Sequence, residues 1–123
     1  MRFAEICLIT KNVSKLAAFY TEVLCVTADG DDTHVTLGTE GANMCIFSVE
    51  GMENLAPQSM RGAGVGNFTI GFEVKDVDRE YQRLTALGVE FVKRPMTHPW
   101  GARSFWFRDP DGNIVNFFTV LKK

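Results

Sequence analysis

Cysteine is scarce in this chain of 123 residues: Cys7, Cys25 and Cys45 make an odd count with no Cys-x-x-Cys spacing. That excludes a disulfide-stapled scaffold and a zinc ribbon. Cys7 and Cys45 lie inside apolar runs, where a free thiol acts as a small hydrophobe, so a reduced, cytoplasmic protein is expected. Histidine is scarcer still. His34 and His98 have no His-x-His or His-Glu-x-x-His company, and both are read as solvated rather than as ligands. An excess of either charge is also missing, because thirteen basic and fifteen acidic side chains leave a net charge of only −2, dispersed along the chain. No basic stripe points to nucleic acid and no acidic block to a tail. No apolar run approaches a membrane span. Glu5 interrupts the first apolar stretch, so no signal peptide is expected there.

What is present in surplus is aromatic surface near the end. Pro99 to Phe118 contains Trp100, Phe105, Trp106, Phe107, Phe117 and Phe118 around the turn Asp109-Pro110-Asp111-Gly112-Asn113. Pro110 pre-sets φ for the first central turn position, Asp111 can bond its own backbone, and Gly112 accepts positive φ. Arg103–Arg108 and Ile114–Val120 therefore read as a hairpin of specified register. A length of 123 residues implies one compact domain burying about two-thirds of its unfolded surface.

Along the chain, Phe3–Thr10 reads as a strand and Asn12 as the cap of a helix through Leu24, with Val13, Leu16, Ala17, Tyr20, Val23 and Leu24 on one face. Val26–Ala28, His34–Leu37 and Met44–Val49 read as strands. Glu50–Gly66 reads as irregular. Phe68–Val74 is a strand, Asp76 caps a helix through Leu87, and Gly88 comes just past its end. Glu90–Lys93 reads as a short strand and Arg94–Gly101 as a loop.

The pattern repeats. Ile6–Lys15 lies over Ile70–Arg79, matching strand, Lys, Asx cap, Val and a basic residue, and Gly38–Asn43 lies over Arg108–Asn113, with Phe47 on Phe117. Each half is strand, helix, three strands. Ile6, Leu8, Ile70, Phe72 and Val74 are placed to meet a helix, whereas Glu5, Cys7, Thr69, Gly71 and Glu73 face the other way. Two such sheets side by side would form a cup lined by the second set.

This doubled unit, with Trp100-Gly101-Ala102-Arg103 and the Asp109–Asn113 turn, resembles the vicinal oxygen chelate superfamily of glyoxalases, bleomycin-resistance proteins and extradiol dioxygenases. The resemblance implies an α+β fold: two βαβββ modules in tandem forming a cupped mixed sheet, helices outside, usually as a homodimer. The modules would be residues 1–50 and 67–123, with 51–66 between them. It also implies four metal-ligand positions, on the first and last strand of each module. Here these fall on Glu5, Ile46, Thr69 and Asn116, with Cys45 replacing Ile46 if that strand slips by one residue. A catalytic divalent ion wants about three good protein ligands, which this set does not supply. No cofactor is expected, and a divalent metal is disfavoured.

Glu5 is the candidate general base, with apolar Phe3, Cys7 and Ile9 on its face to desolvate it. The ligand-binding set is Glu5, Thr69, Trp100, Arg103, Trp106, Asn116 and Phe118. Phe118 and Trp106 would stack on a planar ligand beside Asn116, with Arg103 as a donor at the rim. The first reading is a protein similar to the antibiotic-sequestering members, binding an apolar or aromatic small molecule without metal. The alternatives are a metal-dependent lyase, isomerase or dioxygenase of the same superfamily, and a regulatory module with no pocket ligand.

Overall fold

A computed structural model describes residues 1–121; the last two residues of the second expected module, Lys122 and Lys123, lie outside the described residues. The chain divides into two compact units, Met1–Ala63 and Gly64–Lys123. The first contains β1 (Glu5–Thr10), α1 (Val13–Leu24), β2 (Ala28–Gly30), β3 (His34–Leu37), β4 (Asn43–Ser48) and α2 (Val49–Leu55). The second contains β5 (Thr69–Glu73), α3 (Val77–Leu87), β6 (Glu90–His98), β7 (Ala102–Arg108) and β8 (Ile114–Val120). The sheets have equivalent orders, β1-β4-β3-β2 and β5-β8-β7-β6. In each, the outer first strand pairs parallel with the last and the other pairs are antiparallel. The fold is α+β with two tandem βαβββ modules, as the repeat predicts.

In the first unit, the Asn12 side chain accepts from Lys15 N at 3.0 Å and starts α1. Cys25 ends α1 in the left-handed region, with φ of 55°. The helix buries Val13, Leu16, Ala17, Tyr20 and Val23, one continuous face, and packs on β3 and β4. Leu8, Val35, Leu37, Met44 and Ile46 complete that core. Two local features depart from the expected pattern. β2 begins two residues later than Val26 and runs on through Asp29 and Gly30, because Asp31 Oδ1 accepts from Thr33 N at 2.8 Å and His34 N at 3.1 Å and confines the turn to the residues after Gly30. The stretch after Val49 opens as helix α2, nucleated where Ser48 Oγ accepts from Gly51 N at 2.9 Å. α2 buries no residue of its own, so no apolar periodicity announces it.

In the second unit, Asp76 caps α3 by accepting from Arg79 N at 3.1 Å, and Gly88 ends it at φ 75°. α3 packs on β6, β7 and β8 over Phe105, Phe107, Val115 and Phe117. Tyr81 of α3 lies 5.4 Å from Phe105, and Phe107 lies 5.0 Å from Phe117, both edge-on. The expected hairpin is present in register, from Ala102↔Val120 to Arg108↔Ile114. Its turn is held by Asp109, which is buried: Oδ1 accepts from Asp111 N and Asn113 N, and Oδ2 from Asn113 Nδ2. β6 runs on through residues expected to be a loop. It tolerates Pro95 because it is the edge strand and because the register shifts between Lys93 and Met96.

Candidate functional site

Strand alternation divides the hairpin's aromatic surplus. Phe105, Phe107, Val115 and Phe117 enter the core under α3. Ser104, Trp106, Asn116, Phe118 and Val120 take the opposite face, where the second unit forms a cleft of about 470 Å³. Lys93, His98 and Trp100 complete its wall. Gly71 is the β5 partner of Asn116 and brings no side chain over this floor; the atom closest to where its Cβ would stand is Phe118 Cε1, at 3.6 Å.

β6 delivers Lys93 and His98 through two irregularities. Phe91 pairs with Phe107 in the core, and regular pairing would send Lys93, two residues on, to the same side. One extra residue in β6 instead sets Lys93 opposite Trp106. The second irregularity, around Pro95, returns Met96 opposite Ser104 and His98 opposite Ala102, again on the cleft face.

These side chains form a connected polar group. Lys93 Nζ lies 2.6 Å from His98 Nε2 and donates to Ser104 Oγ at 2.9 Å; His98 Nε2 lies 3.2 Å from the same hydroxyl. The Lys93 ammonium sits 4.7 Å from the Trp106 ring centroid. The His98 ring stacks on Trp100, 4.2 Å between centroids with planes 5° apart. Burial pushes the Lys93 pKa down. Desolvation, then the Lys93 charge, pushes the His98 pKa below its ordinary value. An amine is a stronger base than an imidazole, so Lys93 keeps the proton and donates a hydrogen bond to His98 Nε2, with the imidazole proton on Nδ1. Two buried polar atoms of cleft-lining residues have no partner among the described residues, the Trp106 indole Nε1 and the Asn116 amide Oδ1.

Of the residues expected to bind a ligand, the structure thus brings together Trp100, Trp106, Asn116 and Phe118. Thr69 stands exposed at the start of β5 and does not line the cleft. Arg103 points to the helix side, donating from Nε and Nη2 to both oxygens of Asp78 at 3.0 and 2.8 Å and from Nη1 to Thr97 Oγ1. Its odd place in β7 puts it beside Phe105 rather than Trp106, which corrects its assignment as a rim donor. Glu5 is exposed at the start of β1, and Phe3 beside it is 73% exposed, so the expected desolvation of this carboxylate within the strand is absent. Sequence reasoning misses Lys93 and Ser104, and it reads His98 as solvated. Ser104 is legible in principle from its spacing to Trp106; Lys93 is not, since a bulge reverses its side.

A family model for the Glyoxalase/Bleomycin resistance protein/Dioxygenase superfamily matches residues 2–117. The chain belongs to that superfamily. One curated relative, the uncharacterized protein YraH of Bacillus subtilis, is 26% identical over 98% of this chain and all of its own length. A glyoxalase/bleomycin resistance protein/dioxygenase family enzyme from Burkholderia phytofirmans shares the fold with a TM-score of 0.87, at 18% identity, over 98% of this chain and 100% of its own. A glyoxalase/bleomycin resistance protein/dioxygenase from Nocardioides gives 0.83 at 23% identity, over 99% of this chain and 85% of that one.

The pairing also moves one of the four metal-ligand positions that the resemblance implies. Asn116 lies between Gly71 and Trp106, whereas Cys45 lies between Cys7 and Thr36, so Cys45 is its first-unit counterpart. Ile46 instead corresponds to Phe117: both are core residues, paired with Leu8 and Val35 and with Phe72 and Phe105. The repeat frame chosen from the Gly38–Asn43 turn is therefore one residue out in the strand after it, and Phe47 matches Phe118. The second turn holds one more residue than the first. The four positions read Glu5, Cys45, Thr69 and Asn116. This set fits a divalent catalytic ion poorly, and no group of three or more His, Cys, Asp or Glu suited to a metal occurs among the described residues.

Proposed function

We propose that this superfamily member binds a planar apolar or aromatic small molecule in the second-unit cleft, without a metal. The observation that carries this reading is the convergence of Trp100, Trp106, Phe118 and Asn116 on one cleft of about 470 Å³, within the range of small-molecule sites. The aromatic faces supply stacking area, and the unpartnered Nε1 and Oδ1 supply orientation. The weak donor set at the four strand positions supports the metal-free form of the proposal over a metal-dependent lyase, isomerase or dioxygenase. Sequestration of a planar antibiotic is one use such a cleft would serve. A homodimer is in keeping with exposed apolar side chains such as Phe3, Leu55 and Val65, and free Cys7, Cys25 and Cys45 suit a reducing cytoplasm. No helix of the described residues is long and apolar enough to cross a membrane.

The test uses the two tryptophans, both of which line the cleft. A screen of planar aromatic fragments should shift their indole N–H resonances, and Trp100→Ala should weaken the hits. Fragments that bind without moving either resonance would place the ligand elsewhere. Elemental analysis of protein purified without chelator should find less than stoichiometric Ni, Zn, Fe or Mn; a stoichiometric metal would overturn the metal-free reading.

A further inference from the structure

The cleft's polar groups have a sign. Lys93 contributes a charge to it, and neither Asp nor Glu lines it. Lys93 makes no salt bridge among the described residues; the nearby ion pairs Arg103–Asp78 and Arg108–Glu90 belong to other side chains. An ammonium has three protons. One is accepted by His98 Nε2 and one by Ser104 Oγ, which leaves the third without a hydrogen-bond acceptor, beside the Trp106 ring. The His98 Nε2 lone pair is taken at 2.6 Å, so the Ser104 hydroxyl, 3.2 Å away, keeps its own proton to donate elsewhere. The Trp106 Nε1–H has no acceptor. Three donors, one of them cationic, thus remain unspent: those of Lys93 and Ser104 belong to a wall whose other surfaces are aromatic, and the Trp106 N–H is buried. Against them stands a single orphan acceptor, Asn116 Oδ1.

We infer that the ligand is an aromatic acid: an oxyanion received by Lys93, Ser104 and Trp106, a ring lying against Phe118 and the Trp100–His98 stack, and a ring hydroxyl or amine donating to Asn116. The inference rests on the cleft being the ligand site, as proposed above, and adds the charge and polarity of the molecule that enters it. Charge-assisted bonds to an oxyanion are stronger than those to a neutral carbonyl, which sets the expected selectivity. His98 acts here as a positioning residue: it accepts from the ammonium and stacks on Trp100, so it holds both the charge and one aromatic wall.

The experiment compares 4-hydroxybenzoate with its neutral analogue 4-hydroxybenzamide, titrated into the wild-type protein at pH 7 with the two indole N–H resonances as readout. The acid should bind about tenfold tighter than the amide, and in Lys93→Met the two should become equal. Equal binding of acid and amide to the wild type would overturn this inference while leaving the aromatic cleft standing. So would a preference for the acid that survives Lys93→Met. If neither compound, nor any planar fragment, moved the indole resonances, the cleft reading itself would fall and take this one with it. The wild-type comparison needs no variant to fold.

Discussion

Trp106 and Asn116 are register partners on adjacent strands, yet the indole Nε1 of one and the amide Oδ1 of the other are both buried without a hydrogen bond. A buried polar atom left unpaired costs about 1–3 kcal/mol, which a folded domain tolerates where a ligand completes the bonds. Asn116→Leu, alike in branching though bulkier, should therefore stabilise the free protein by about 1 kcal/mol in urea denaturation while weakening any cleft ligand. A clear loss of stability would mean that Oδ1 already has a partner.

Lys93 and His98 make a pH dependence with a defined sign. His98 titrates below its ordinary 6.5 because it is desolvated and faces the Lys93 charge. Between the folded and unfolded values the unfolded chain binds more protons. The histidine's contribution to stability is thus intact above pH 6.5 and lost as pH falls through the lower, folded value. Lys93→Met removes one of the two causes and should move the His98 midpoint up, read from its imidazole proton resonances. An unmoved midpoint would refute the coupling.

Arg103 and Asp78 form a bidentate pair that holds the Asp78 carboxyl below its usual range, first through the hydrogen bonds and then through the charge. The pair is substantially exposed, so solvent screening limits its worth, and Asp78→Asn should cost no more than about 1 kcal/mol. Arg103→Ala should leave fragment binding in the cleft unchanged. A loss of binding there would restore Arg103 to the ligand set.

Asp109 carries the hairpin. Asp109→Ala strips acceptors from Asp111 N, Asn113 N and Asn113 Nδ2 in a buried turn and should destabilise the protein by about 3 kcal/mol. Asp109→Asn retains one acceptor oxygen but sets two amide donors against each other, so its loss should be intermediate. Thermal or urea unfolding of the two variants checks the order.

Much of the fold is legible locally, because its determinants are local. Asn12 and Asp76 cap helices whichever sheet those helices later cover, and the Asp109–Gly112 turn sets its hairpin without help from the core. Helix α2 escapes such a reading because Ser48 starts it through one side-chain bond and no apolar stripe marks its length. The alternation of Phe105 and Phe107 against Ser104 and Trp106 comes from the strand period, so Trp106, Asn116 and Phe118 of the cleft are visible in the sequence, and Ser104 is so in principle.

By itself, then, the order of residues determined the doubled βαβββ plan, the register of the last hairpin and the aromatic face it presents. Each of these depends on neighbours a few positions apart. Only the tertiary structure decided the cleft's charge. Two shifts of register in the edge strand, invisible to any period-two reading, carry Lys93 and His98 to the Trp106 face and bring Ser104 within reach of both. The pairing with β7 sets that register, and with it the side from which an ammonium meets whatever the cleft receives.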